Sequence, residues 1–220
     1  MSTTYQEKGS LELETTGSAI EAAAGLAVIV LAIVGLSNHA GGVLMPIAAI
    51  ILGIALVVQG AAVSIEHSRL LAAASSGTIG TIELGGGVTA EMLAGVSVVI
   101  LGILGVIGLA PAILIAVVII IAGAAIIVAT ANFRRLTILK LRGPGFSETV
   151  VEVGQAAAAG AASAQLMIGT AAIVLGILAL SIAASAAVLT LVGLLILGAG
   201  VVISGGTVAG RASSRLFSHF

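Results

Sequence analysis

The sequence contains no cysteine, no tryptophan and no aspartate, and only 8% of its 220 residues are charged. A soluble domain carries about 25–35% charged residues on its surface, so a water-soluble fold is excluded. Without cysteine the chain has neither a disulfide framework nor a thiolate metal site. The net charge of −1 provides no basic surplus, and nucleic-acid binding is therefore not expected.

Hydrophobic residues dominate what is present, at 60% of the chain with a mean hydropathy of +1.31. Charged residues are missing from three long stretches, 22–65, 92–133 and 153–210. Each stretch is at least about twice the ~20 residues that cross a bilayer as a helix, so each must cross, turn and return. Small or polar residues near the middle of each stretch mark the turns, at 37–42, 108–111 and 183–185.

The sequence therefore predicts an all-α integral membrane protein that forms a single domain over residues 1–220. Its six transmembrane helices are arranged as three tandem hairpins. The predicted spans are 19–36, 44–65, 89–108, 111–131, 162–182 and 186–208.

The basic residues predict the orientation of these spans. All eight lie on the side of the termini, and none falls in the opposite loops: Lys8, Arg69, Arg134, Arg135, Lys140, Arg142, Arg211 and Arg215. The positive-inside rule then predicts that both termini are cytoplasmic. The N-terminus is acidic where a signal peptide would be basic, so the first hydrophobic run is predicted to be a retained span.

Internal similarity indicates three repeats, at approximately 10–69, 80–140 and 149–215. Glu21, Glu91 and Gln165 occupy matching positions where the odd-numbered helices begin. The even-numbered helices share similar motifs around Gly53, Gly123 and Gly198. Three copies of one hairpin account for both patterns.

Short segments before the hairpins, at 10–15, 80–85 and 149–154, alternate apolar and polar residues. Examples are Leu11-Glu12-Leu13-Glu14 and Val150-Val151-Glu152-Val153. This period of two is typical of strands and predicts short cytoplasmic β-segments, with an irregular linker as the alternative.

Glu21, Glu91 and Gln165 are candidates for a proton site or a ring at a pore mouth, because carboxylates within a membrane are commonly functional. The competing interpretation is structural. Acidic residues in the first turn of a helix are stabilised by the helix dipole and can stay hydrated at the interface.

Glycines indicate the helix-packing faces, because small residues let helices approach closely in lipid. The candidates are Gly95, Gly102, Gly105, Gly123, Gly198 and Gly200. Three polar residues of the even helices, Gln59, Thr130 and Ser204, are expected either to line a narrow path or to hydrogen-bond across helices.

Other chemistry is not indicated. His39, His67 and His219 lack metal-ligand spacing, and no serine lies in a nucleophile motif. We therefore expect no catalytic residues, no metal, no cofactor and no enzymatic activity, although bound lipid or pigment is compatible with the smooth apolar faces.

The tandem hairpins, with GILGVIGLAP from Gly102 to Pro111 followed by IIIAGAAIIVAT, resemble the HdeD-like bacterial membrane proteins. That resemblance implies a six-helix protein of the bacterial inner membrane, cytoplasmic or intracytoplasmic, that is associated with acid resistance. It carries over no site residues. The chain departs from the family in lacking tryptophan and in its glutamate-bearing linkers.

We expect a non-enzymatic structural protein that self-associates and organises or protects a membrane under stress. Homo-oligomers are predicted from three observations: helix faces rich in glycine and alanine, strand-like segments with unpaired edges, and a missing outer aromatic belt. All five aromatic residues lie outside the spans or at their cytoplasmic edge. Two alternatives stay open. One is a channel or carrier for protons or small neutral solutes, and the other is an accessory subunit that binds lipid, pigment or other membrane proteins.

Overall fold

The computed structural model describes the backbone of residues 2–37, 41–73, 81–141 and 148–217. It describes the side chains of 19–37, 42–61, 90–131, 156 and 159–205. There are six helices in chain order: α1 Ser2–Ser37, α2 Gly41–Ala73, α3 Thr81–Val106, α4 Pro111–Leu141, α5 Glu148–Ser181 and α6 Ala186–Phe217. A single 3-10 turn, Ala183–Ser185, precedes α6.

Five of these helices contain apolar stretches long enough to cross a membrane. In α3 the described apolar stretch, Ala90–Val106, is shorter. Large aliphatic side chains such as Leu26, Ile100 and Met167 are more than half exposed on the outside of the bundle, where a soluble protein would place polar groups. The chain is a multi-pass membrane protein.

The predicted β-segments are wrong. Residues 10–15 and 149–154 lie within α1 and α5, and residues 81–85 of the segment 80–85 lie within α3, residue 80 being outside the described residues. No strand occurs in the backbone that the structure describes. An alternation over four residues is too short to predict a strand reliably. Extending an existing helix by a few residues also costs far less free energy than nucleating a new element. The neighbouring apolar helices therefore extend through these segments.

The breaks between helices fall where small residues interrupt the apolar runs. Between α3 and α4, Gly108 has φ +90°, a conformation that glycine adopts without a steric cost. Ala110 has φ +38° and precedes Pro111, whose fixed φ suits the first position of α4. We call the end of the bundle that carries these turns the short-loop end, and the opposite end the terminal end.

The even-numbered helices form the centre of the bundle. Each of α2, α4 and α6 contacts the other two, while α1 packs against α6 and α2, α3 against α2 and α4, and α5 against α4 and α6. Fully buried aliphatic side chains fill the centre, among them Leu52 and Leu56 of α2, Ile119 of α4 and Leu194 of α6. The odd-numbered helices therefore form an outer layer.

The most extensive helix contacts are not those across the short loops. α2 packs on α3, α4 on α5 and α6 on α1 over longer interfaces than α1 on α2, α3 on α4 or α5 on α6. The contact between α6 and α1 joins the last helix to the first. The six helices therefore form a closed ring.

Each of these three long interfaces contains a pair of facing glycines. A Cβ atom added to Gly25 would lie 2.8 Å from the carbonyl oxygen of Gly198, between α1 and α6. The corresponding distance is 2.8 Å from Gly53 to the Gly95 oxygen, between α2 and α3. From Gly123 to the Gly169 oxygen, between α4 and α5, it is 2.7 Å. These distances leave no room for a side chain, so the backbones pack directly against each other.

Candidate functional site

Six polar residues, one from each helix, lie at a similar height in the bundle. We call them the polar layer: Glu21, Gln59, Glu91, Thr130, Gln165 and Ser204. Each is 15 to 19 residues from the short-loop end of its helix. At 1.5 Å per residue this is roughly 22–28 Å. The hydrocarbon core of a bilayer is about 30 Å thick. If the short loops lie at one surface of this core, the polar layer lies within the half of the core that is farther from them.

Glu21 accepts a hydrogen bond from α6 and is linked through it to α2. Its side chain is 6% exposed, and its Oε1 accepts a hydrogen bond from the hydroxyl of Ser204 on α6. The Ser204 oxygen in turn accepts a hydrogen bond from Nε2 of Gln59 on α2, at 3.3 Å. The carboxyl group of α1 is therefore tied to α6 and α2 by a chain of two hydrogen bonds.

Glu91 occupies the matching position on α3 in a different environment. It is 3% exposed, and its Oε1 is the single buried side-chain oxygen or nitrogen without a hydrogen-bond partner among the described residues. Close packing of Met92 against Gly60 of α2 holds this part of α3 in place, with Met92 Cγ 2.8 Å from a Cβ added to Gly60. A buried polar atom without a partner costs about 1–3 kcal/mol, so this oxygen calls for a functional explanation.

The third matching position joins α4 and α5. Thr130, which is buried, donates a hydrogen bond to the Ile126 carbonyl at 2.7 Å, and its Oγ1 lies 3.5 Å from Oε1 of Gln165. This pair carries no charge. The two ionisable members of the polar layer are therefore Glu21 and Glu91.

The helix-start interpretation of the glutamates is wrong. α1 begins at Ser2 and α3 at Thr81, so Glu21 and Glu91 lie several turns inside their helices and not in the first turn. The helix dipole acts only within the first and last turns and does not stabilise either carboxylate. Both side chains are also buried, which removes the hydration that the interpretation required.

No positive side chain balances these carboxyl groups in the part of the chain whose side chains are described. Glu21 and Glu91 are the only Asp, Glu, Lys, Arg or His residues in that part, and they lie within electrostatic range of each other. An isolated buried charge is strongly unfavourable, and two negative charges in a low-dielectric region also repel. Among the described side chains, none is placed to neutralise either carboxylate.

The glycines predicted to pack helices all lie at contacts within the bundle. Gly95, Gly123 and Gly198 belong to the facing glycine pairs. Gly102 and Gly105 face Pro46 of α2, while Gly200 faces Ile168 of α5, within 3.0–3.3 Å of an added Cβ. Sequence reasoning did not select Gly25, Gly53 and Gly169 as packing residues, although their matching positions in the three repeats provided the signal.

Other candidate sites are weak. No group of three or more potential metal ligands occurs among the described residues, and the three histidines lie outside the described side chains. A cavity of about 240 Å³ at the short-loop end is bordered by Leu36, Met45 and Leu191 and has an apolar lining. It provides no polar group to orient a ligand.

Comparison with known proteins identifies no relative of this chain. No protein-family model matches this chain, and neither does any curated protein or solved structure at a significant level of similarity. The resemblance to HdeD-like proteins stays a prediction.

Proposed function

We propose that this protein is a carrier of protons across the membrane, with Glu21 and Glu91 in the polar layer as its binding groups. One observation carries the proposal: two carboxyl groups are buried within a membrane bundle that holds no basic partner among its described side chains. Ionisable groups in transmembrane segments are costly and commonly mark ion pathways. The proton is the smallest cation that neutralises a carboxylate without a set of further ligands.

Packing of the bundle favours a carrier over an open channel. Between the polar layer and the short-loop end, the three central helices are filled by aliphatic side chains that are fully buried, including Leu52, Leu56, Ile115, Ile119, Leu194 and Leu197. A continuous water path through this core would require the central helices to separate. A proton can therefore cross only if the bundle changes conformation, from a state that exposes the polar layer to one side of the membrane to a state that exposes it to the other side.

The proposal includes six spans in three hairpin repeats, with both termini in the cytoplasm of a bacterium. The three facing glycine pairs support the repeats, because they fall at matching positions of successive helix pairs. The one-sided distribution of lysine and arginine supports the orientation.

Self-association, the first expectation from the sequence, has lost two of its three arguments. The segments expected to pair as strands are helical. The glycine faces that would join subunits are used between helices of one chain. The missing outer aromatic belt still supports it, so homo-oligomers remain a prediction.

Reconstitution in proteoliposomes tests the proposal. With an imposed proton gradient and a trapped pH-sensitive dye, we expect the wild type to dissipate the gradient faster than empty vesicles. The Glu21→Gln/Glu91→Gln double variant is expected to match empty vesicles. A suitable control is Ser97→Ala, because the Ser97 hydroxyl bonds only to the Leu93 carbonyl of its own helix, at 2.7 Å. Wild-type flux no faster than that of empty vesicles would contradict the proposal.

A further inference from the structure

Glu21 and Glu91 occupy matching positions, but the even helices beside them present different side chains. Glu21 lies on α1, which packs between α6 and α2, and it is bonded to Ser204 of α6, which is bonded to Gln59 of α2. Glu91 lies on α3, which packs between α2 and α4. Its expected partners are therefore the side chains at the matching positions of α2 and α4.

Those positions follow from the register of the even helices. Gln59, Ala129 and Ser204 each lie six residues after the glycine of a facing pair, Gly53, Gly123 and Gly198 respectively. Beside Glu91, the α4 position is therefore Ala129, which has no hydrogen-bonding side chain. The α2 position is Gln59, which directs one N–H of its amide to Ser204, and its second N–H makes no bond to Oε1 of Glu91.

The next residue of α4 does not replace the missing donor. Thr130 is one residue beyond Ala129, and its hydroxyl proton is donated to the carbonyl of Ile126. Its oxygen faces Gln165 of α5. The unpartnered Oε1 of Glu91 is thus a consequence of alanine at position 129 and of the two neighbouring polar side chains bonding elsewhere.

We infer that the exchanging proton binds at the Glu91 carboxyl group beside Ala129, and that Glu21 is a positioning residue that ties α1 to α6 and α2. A carboxylate that receives hydrogen bonds from protein donors is already stabilised, whereas an unpartnered one takes a proton from water to form the neutral acid. The proton arrives as hydronium, leaves water behind, and departs by the reverse step. This inference rests on the proposed function in treating that proton as the transported ion.

The charged surroundings of Glu91 are simple in the described part of the chain. Neither α2 nor α4 presents an ionisable side chain there, and Glu21 of α1 is the one ionisable group within electrostatic range. Among the described groups, only Glu21 is therefore expected to influence the titration of Glu91 through its charge.

Infrared difference spectroscopy of the purified, lipid-reconstituted protein tests the assignment without requiring transport. A protonated carboxyl group gives a C=O stretching band that disappears on deprotonation. The seven other glutamates also contribute to this band when they are protonated, so the readout is its high-wavenumber component, which a carboxyl group without a hydrogen-bond partner produces. We expect this component in the wild type and in Glu21→Gln, and its loss in Glu91→Gln. Loss in Glu21→Gln with retention in Glu91→Gln would overturn the inference, as would a wild type without any such band.

Ala129→Ser provides a second, conservative test, which decides the matter if Glu91→Gln does not fold. The new hydroxyl supplies a donor to the ionised Glu91, so we expect the proton to bind about tenfold more weakly. Ala124→Ser is the matched control, since Ala124 is exposed on the outer side of the same helix and should leave the band unchanged. Unchanged titration in Ala129→Ser would overturn the assignment of the site to this position.

The two proposals fail differently. A band on Glu91 without proton flux removes the transport function and leaves the binding site. Proton flux with the band on Glu21 removes the site assignment and leaves the transport function.

Discussion

The contrast between Glu21 and Glu91 depends on single hydrogen bonds. Ser204 donates a hydrogen bond to Glu21 across the α6–α1 interface, whereas Gln59, at the matching position across the α2–α3 interface, donates to Ser204 and leaves Oε1 of Glu91 without a partner. In a membrane interior, water is not available to compensate for a missing partner, so the two matching residues acquire different properties. Stability measurements can detect this difference without any assay of transport.

Replacing Ser204 with alanine removes the donor to Glu21. We expect the free energy of unfolding to fall by about 1–2 kcal/mol, at the upper end of what interhelical hydrogen bonds contribute in membrane proteins. This change is measured by unfolding the protein in mixed micelles that contain increasing concentrations of a denaturing detergent. Ser97→Ala should stay within about 0.5 kcal/mol of the wild type, because it touches no other helix through that hydroxyl. Equal losses in both variants would contradict the role given to Ser204.

Replacing Glu91 with leucine should change the free energy of unfolding in the opposite direction. Leucine is of similar size and removes a buried oxygen that has no partner, so we expect the free energy of unfolding to rise by about 1 kcal/mol. Glu21→Leu removes an oxygen that is hydrogen-bonded and should be the less stable of the two variants by about 1–2 kcal/mol. The reverse order would show that Glu91 has a stabilising partner.

At the scale of the helices, the position of the polar layer depends on how closely successive helices pack. The facing glycines set the distance between α1 and α6, between α2 and α3, and between α4 and α5. Glu21, Glu91 and Gln165 each lie four residues before a glycine of these pairs, one helical turn away. Any change in this spacing therefore displaces the candidate site.

Gly123→Ala tests this packing. Its Cβ would lie 2.7 Å from the carbonyl oxygen of Gly169, so α4 and α5 must separate, at an expected cost of about 1–3 kcal/mol in unfolding free energy. Gly160→Ala is the control on α5, where an added Cβ meets nothing within 4 Å. There alanine should stabilise the helix by up to about 1 kcal/mol. Similar effects of both substitutions would mean that the facing glycines do not limit the helix spacing.

At the scale of the whole molecule, the contact between α6 and α1 closes the ring and makes the first and last helices neighbours. If all six helices cross the membrane, as proposed, the even number of crossings places both termini on one side of it. The two described short loops, 107–110 and 182–185, are exposed and therefore accessible to reagents from the opposite side.

Cysteine labelling tests this topology. Cysteines introduced at His39, Ala110 and Ser185 should react with an impermeant thiol reagent added outside intact cells, whereas those at Ser68, Ser147 and Ser213 should react only after lysis. The chain has no native cysteine, so the background is low. Labelling of the first set from the inner side alone would contradict the hairpin arrangement.

Sequence by itself determined the membrane class and the helix limits at the short-loop end, whereas at the terminal end every helix extends well beyond the predicted span. Long charge-free runs and small-residue turns leave few alternatives in a solvent that cannot satisfy an open backbone. It did not determine the structure of the segments near the starts of α1, α3 and α5. There a short alternation of apolar and polar residues predicted strands, but the helices continue through the segments. The matching of Glu21, Glu91 and Gln165 was also visible in the sequence. Their burial was decided only by the tertiary structure, because burial depends on which helices surround each residue. The same holds for Oε1 of Glu91, which is left without a hydrogen-bond partner while Gln59 donates to Ser204.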